Sequence, residues 1–225
     1  YPLGSAVQPQ AELDERLPPL TTGEVLWLVQ AGAGGVGPAG GAPDYVVERW
    51  LAARFPLVTE VFPSGVAVKG FATRYRTTDV PASAQALDVR YPNGLNLRGY
   101  RLPETDLPRQ DTWLHPPSTW VHVTLYWAVD QPVKGGISLA VSLEDEAGEV
   151  WGSDLPRAGD LQAFYPPARW QPGEVIRQDL NINTNPGLPA GEYKVVLRVG
   201  DAASGAALIT PAGEDWLILG RVTLR

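Results

Sequence analysis

The chain has 225 residues, 44% of them hydrophobic, which is enough for one sizeable core or for one domain with a small partner. Its 18 basic residues stand against 25 acidic ones, for a formal net charge of -7, and the arginines are scattered singly, as at Arg74, Arg76, Arg98 and Arg101. No basic track exists for a nucleic acid to follow. The absence of cysteine excludes a disulfide framework, a thiolate zinc site and a thiol nucleophile.

With 22 prolines and 24 glycines, helix interiors would be interrupted often, whereas short strands joined by tight turns accommodate these residues at their corners. The composition therefore points to a mainly β protein. No run approaches the length of a membrane helix, and residues 1–20 lack the basic start and apolar centre of a signal peptide. Tyr1 in place of Met, with no Met anywhere, is read as the start of a processed product or of an excised piece of a longer polypeptide, whose missing portion can include a membrane-spanning part.

Residues 1–22 read as a linker or strap with a short helix over 11–16. The run EVLWLVQ at 24–30 reads as a strand. After it, Gly32, Gly34 and Gly37 satisfy G-x-G-x-x-G, but Pro38 to Pro43 intervene before a helix can begin, so the pyrophosphate-binding helix end is displaced and a surface loop is expected. In 44–55, Val46, Val47, Trp50, Leu51 and Phe55 recur at helical spacing behind Asp44 as N-cap, and Pro56 ends the helix. Two more strands are expected at 57–62 and 66–75, joined by a turn at Pro63-Ser64-Gly65. Residues 23–80 thus form a small strand-helix-strand-strand segment that must pack on its neighbour.

Residues 76–92 read as a connector. From Leu95 onward, strands are expected at 95–102, 120–129, 137–143, 150–151, 175–182, 192–200 and 216–224. In the second of these, Val121, Val123, Leu125 and Trp127 line one face against Trp120, His122, Thr124 and Tyr126 on the other. The expected fold is an antiparallel β-sandwich, jelly-roll or immunoglobulin-like, over 81–225, preceded by the small α/β segment.

The two histidines, His115 and His122, are not at metal-pair spacing, and no serine stands in a nucleophile elbow. Glu144, Asp145, Glu146, Glu149, Asp154, Asp160, Glu174 and Asp179 occupy turns or polar strand positions, where solvated charge is the expected role rather than calcium binding or paired-carboxylate hydrolysis. No catalytic residue, metal or cofactor is assigned. The aromatics Trp113, Trp120, Trp127, Trp151, Phe164, Tyr165, Trp170 and Trp216 exceed what one small core needs. Between 154 and 173, Phe164, Tyr165 and Trp170 stand beside Arg157, Asp160 and Arg169. Aromatic planes match the apolar faces of sugars, with charged groups at the ring edge, so these six are the candidate ligand-binding residues. The alternative is that the rings plug the edge of the sandwich.

The succession LNLRGYRL at 95–102, VTLYWAVDQP at 123–132, ISLAVSLEDEAGEVWGSDLP at 137–156, FYPPARWQPGEVIRQDLNI at 164–182 and LPAGEYKVVLRVGD at 188–201 resembles the soluble C-terminal domain of bacterial polytopic membrane glycosyltransferases of the dolichyl-phosphate-mannose-protein mannosyltransferase-like group. The block from EVLWLVQ to VAVKGF resembles the short α/β segment that follows the last membrane helix in those proteins. The resemblance implies an extracytoplasmic or cell-envelope location and a tether to the membrane portion of the same polypeptide. It also implies association with glycan or lipid-linked sugar, and it transfers no catalytic residue. The expected function is a non-catalytic accessory domain; a stand-alone carbohydrate-binding module and, after it, a glycoside hydrolase are the alternatives.

Overall fold

The computed structural model describes residues 10–31, 46–63, 66–110, 118–133, 135–154 and 157–225. The Gly32, Gly34 and Gly37 fingerprint, Asp44, Ser64, Gly65, Trp113 and His115 lie outside the described residues.

The N-terminal unit begins with helix α1 (Gln10–Arg16), a 3-10 turn (Pro18–Thr22) and strand β1 (Val25–Ala31). It continues with helix α2 (Val46–Ala52), β2 (Leu57–Val61) and β3 (Val66–Ala72). The three strands form an antiparallel sheet in the order β1-β3-β2. Alternation puts Leu26, Leu28 and Phe71 on the face that receives α1 and α2, where they pack with Leu13, Leu17, Trp50 and Leu51. Leu13 and Leu17 are fully buried, so the segment expected to be a strap is part of this core. Asp14 fixes α1 to α2 by accepting from Trp50 Nε1 at 2.6 Å.

The second sheet uses β4 (Arg76–Thr77), β5 (Gln85–Arg90), β6 (Leu95–Arg101), β7 (Asp106–Leu107), β8 (Trp120–Val129), β9 (Ile137–Glu144) and β10 (Val150–Asp154). After helix α3 (Leu161–Phe164) come β11 (Val175–Thr184), β12 (Gly191–Asp201) and β13 (Leu217–Leu224). Its strand order is β5-β6-β8-β11-β10-β9-β12-β13-β7, with β4 on β11. The sheet is mixed, because β7 runs parallel to β13 while the other pairs are antiparallel. Residues 76–92 are therefore not only a connector; β5 escapes a period-two reading because its ladder shifts register between Ala86 and Val89.

The sheet curls into a half-barrel around one core. Leu97, Leu125, Trp127, Ile176 and Ile182 from one side meet Val141, Leu143, Val195, Leu197 and Leu219 from the other in a single cluster. The short β10 joins the two sides, pairing with β11 on one edge and β9 on the other, and a bulge between Val150 and Gly152 supplies the bend. At Gly152 a Cβ would stand 2.8 Å from Asn183 O and 3.2 Å from Thr184 Cα, both on the partner backbone. Gly152→Ala is expected to lose about 1–3 kcal/mol of stability, read as a shifted midpoint in urea denaturation.

Candidate functional site

The six residues expected to contact a ligand serve the fold. Trp170 is fully buried and Tyr165 is 6% exposed. The indole Nε1 of Trp170 donates to Tyr165 O at 2.8 Å, and the Tyr165 hydroxyl lies 3.0 Å from Glu174 Oε2. The guanidinium groups of Arg76 and Arg169 lie over the Tyr165 ring, 5.0 and 5.3 Å from its centroid. Phe164 meets Tyr75 edge-on with ring centroids 5.5 Å apart. Asp160 caps α3 by accepting from Ala163 N at 2.9 Å. Arg157 reaches across to the N-terminal unit and donates to Val58 O at 3.0 Å. Trp170 and Tyr165 are enclosed, and Phe164 is half-buried. They close one end of the half-barrel because Leu161, Tyr165 and Trp170 join its core.

The polar side chains that converge do so on the outer face of β6, β8 and β11, under the N-terminal sheet. Register makes the arrangement. On this face Tyr126 stands opposite Arg177, Thr124 opposite Asp179, and His122 opposite Asn181, while Arg101 faces Thr124 from β6. Arg177 is buried with each of its three nitrogens paired: Nε and Nη2 each donate to Asp179 at 2.9 Å, and Nη1 donates to Glu24 Oε2 at 2.8 Å. Asp179 also accepts from Thr124 Oγ1 at 2.9 Å. Asn181 Nδ2 donates to Val58 O at 2.8 Å, and its Oδ1 accepts from His122 Nδ1. Beside this row, Asp154 accepts from Asn181 N at 2.9 Å, and its burial pushes the carboxyl above the ordinary value.

Two groups on this face are left over. Arg101 Nε and the Tyr126 hydroxyl are buried without a hydrogen-bond partner among the described residues. Each such group costs about 1–3 kcal/mol. Burial raises the pKa of Tyr126, which keeps its hydroxyl neutral.

Between the units lies a cleft of 220 Å³. Its polar wall is Arg101, His122, Thr124, Arg177, Asp179 and Asn181, and its other wall is Val25, Trp27, Val58 and Thr59. Trp27 is 57% exposed. Its ring crosses the sheet over Gly70, where a Cβ would approach Trp27 Cζ3 to 3.2 Å. The missing side chain lets one edge of the indole settle on β3 while the ring stays open to the cleft. A second groove of 120 Å³ lies by Trp216, Glu144 and Arg198. There Glu144 is already satisfied, paired with Arg198 and accepting from Ser142 Oγ at 2.6 Å, and the Arg198 bond holds its carboxyl below the ordinary value.

None of the cleft residues is among the six ligand candidates, and His122 and Asp179 are assigned no ligand role in the sequence. The alternation in β8 and β11 marks Thr124, Tyr126, Arg177, Asp179 and Asn181 as one outward set, but only the strand register shows them adjacent, and only the packing of β1 places Trp27 opposite them. Among the described residues no group of three His, Asp or Glu side chains has metal-holding geometry, and no helix is long and apolar enough to cross a membrane. No protein-family model matches the chain, and no curated protein matches it.

Proposed function

We propose that this chain is a non-catalytic, extracytoplasmic accessory domain of a membrane glycosyltransferase-like protein, and that it contacts glycan through the cleft between its two sheets. The carrying observation is the cleft itself, in which an exposed indole faces a row of Arg, His, Asp and Asn side chains. The ordered motifs from 95 to 201 support the glycosyltransferase context and, with it, the membrane portion of the same polypeptide as partner. On the same reading the half-barrel is an open form of a two-layer jelly-roll or immunoglobulin-like sandwich, with β10 shared by both layers.

Five of the acidic residues support a non-catalytic role, since they are committed at separate places. Glu144 pairs with Arg198, Glu146 with Lys194 and Arg221, Glu174 with Arg76, and Asp179 with Arg177, and Asp160 caps a helix. None of these pairs leaves two free carboxylates facing each other across a space for a sugar.

Calorimetric titration with neutral glycans tests the reading. Binding is expected in the wild type, and Trp27→Ala is expected to weaken it by about tenfold or more. The melting temperature of that variant should stay close to wild type, because the ring is largely exposed. Absence of binding across a broad glycan panel would end the proposal.

A further inference from the structure

Resting on the glycan reading, the geometry points to the ligand class: we infer that the inter-sheet cleft takes a single uncharged pyranose ring, stacked on Trp27 and hydrogen-bonded by Arg101 and His122.

Charge is the first argument. Both guanidinium groups in the wall are already opposed: Arg177 by Asp179 and Glu24, and Arg101 by Glu24, with Nη2 3.6 Å from Oε2. A phosphate or carboxylate entering here would meet Glu24 and Asp179 as well as the arginines. It would lose its hydration without gaining an unmatched cation. A cation fares no better, because both oxygens of Asp179 accept from Arg177 and one also accepts from Thr124.

The second argument is the mixture of donors and acceptors. Asn181 Nδ2 donates to Val58 O, which fixes Asn181 Oδ1 as the atom facing His122 Nδ1. His122 therefore carries a proton on Nδ1, and in the Nδ1–H tautomer Nε2 is an acceptor. His122 is exposed, so that acceptor is available. The Arg101 side chain is 26% exposed and offers only Nη2 to Glu24, at 3.6 Å, so its guanidinium has N–H donors left for an oxygen in the cleft. One donor and one acceptor on the same wall suit hydroxyl groups, each of which donates and accepts.

Size and shape complete the case. At 220 Å³ the cleft is smaller than the roughly 300–1,000 Å³ of sites for drug-sized ligands, which limits it to one ring. Trp27 supplies the flat apolar surface that the C–H face of a pyranose covers.

The test is an NMR titration of the intact chain with neutral methyl glycosides, a uronic acid and a sugar 1-phosphate, following the tryptophan indole resonances. Neutral glycosides are expected to move the Trp27 signal in a saturable way, and the two acidic sugars are expected to leave it in place at equal concentration. Trp27→Ala should abolish saturation, and His122→Leu should weaken it about tenfold or more with little change in melting temperature. Saturable binding of only the acidic sugars, or only of longer oligosaccharides, in a Trp27-dependent way would overturn the single neutral ring and leave the glycan reading standing. Binding that survives Trp27→Ala places the sugar elsewhere and overturns the inference. No response to any sugar, or a response to peptides alone, overturns both.

Discussion

Replacing Trp170 by alanine is expected to cost about 3–5 kcal/mol of folding stability, a large share of the 5–15 kcal/mol that holds a typical domain together. The indole is fully enclosed by the core that closes the end of the half-barrel, so its removal leaves a cavity rather than a solvated gap. It also strands Tyr165 O, which accepts the indole proton at 2.8 Å. Urea denaturation followed by far-UV circular dichroism would give the value from the shift in midpoint at unchanged slope. Phe164→Ala, at a half-buried ring, should cost less than half as much. A loss below about 1 kcal/mol for Trp170→Ala would mean that the 157–173 segment is an attachment rather than core, and its rings would again be available to a ligand.

That segment shows what the sequence can and cannot reveal. The apolar alternation of β8 is legible because Val121, Val123, Leu125 and Trp127 share the face that lies on the core, so they announce their own burial. The helix α2 is legible for the same reason at period 3.6. The aromatic loop defeats local reading because a ring that seals a core and a ring that stacks on a sugar have the same identity and the same charged neighbours. The burial of Trp170 and Tyr165 in the core separates them, with the guanidinium groups of Arg76 and Arg169 over the Tyr165 ring. The cleft fails differently. His122 and Asn181 are 59 positions apart, and Arg177 and Glu24 are 153 apart, so their contacts are set by register and by the seating of one sheet on another, which no local period encodes. The bulges at Ala86/Val89 and Val150/Gly152 hide an edge strand and the bend of the half-barrel in the same way, since an extra residue breaks the alternation where the topology turns.

The cleft floor gives the second large effect. Asp179→Ala is expected to destabilise the protein by about 3–5 kcal/mol, because it removes the partner that takes two of the three Arg177 bonds and leaves a buried guanidinium short of charge. Glu24 does not replace it. Its side chain is 48% exposed, and its bond to Arg177 is screened accordingly, so Glu24→Ala should cost about 1 kcal/mol or less. If burial of an unmatched charge is the cause, Arg177→Met combined with Asp179→Leu should recover most of the loss, since two apolar side chains then fill the space of the pair. A double-mutant cycle in urea reads this directly, with a coupling well above the few tenths of a kcal/mol seen for independent sites. Local behaviour distinguishes the two acids further. Asp179 and Arg177 lie on one strand of the half-barrel, whereas Glu24 enters from the N-terminal unit. Hydrogen exchange in Glu24→Ala should therefore accelerate first in β1, with β8 and β11 still protected, while Asp179→Ala should lower protection across β8 and β11 together. The opposite order would mean that Glu24, and not Asp179, neutralises the buried arginine, and the polar wall of the cleft would then depend on the N-terminal unit for its charge balance.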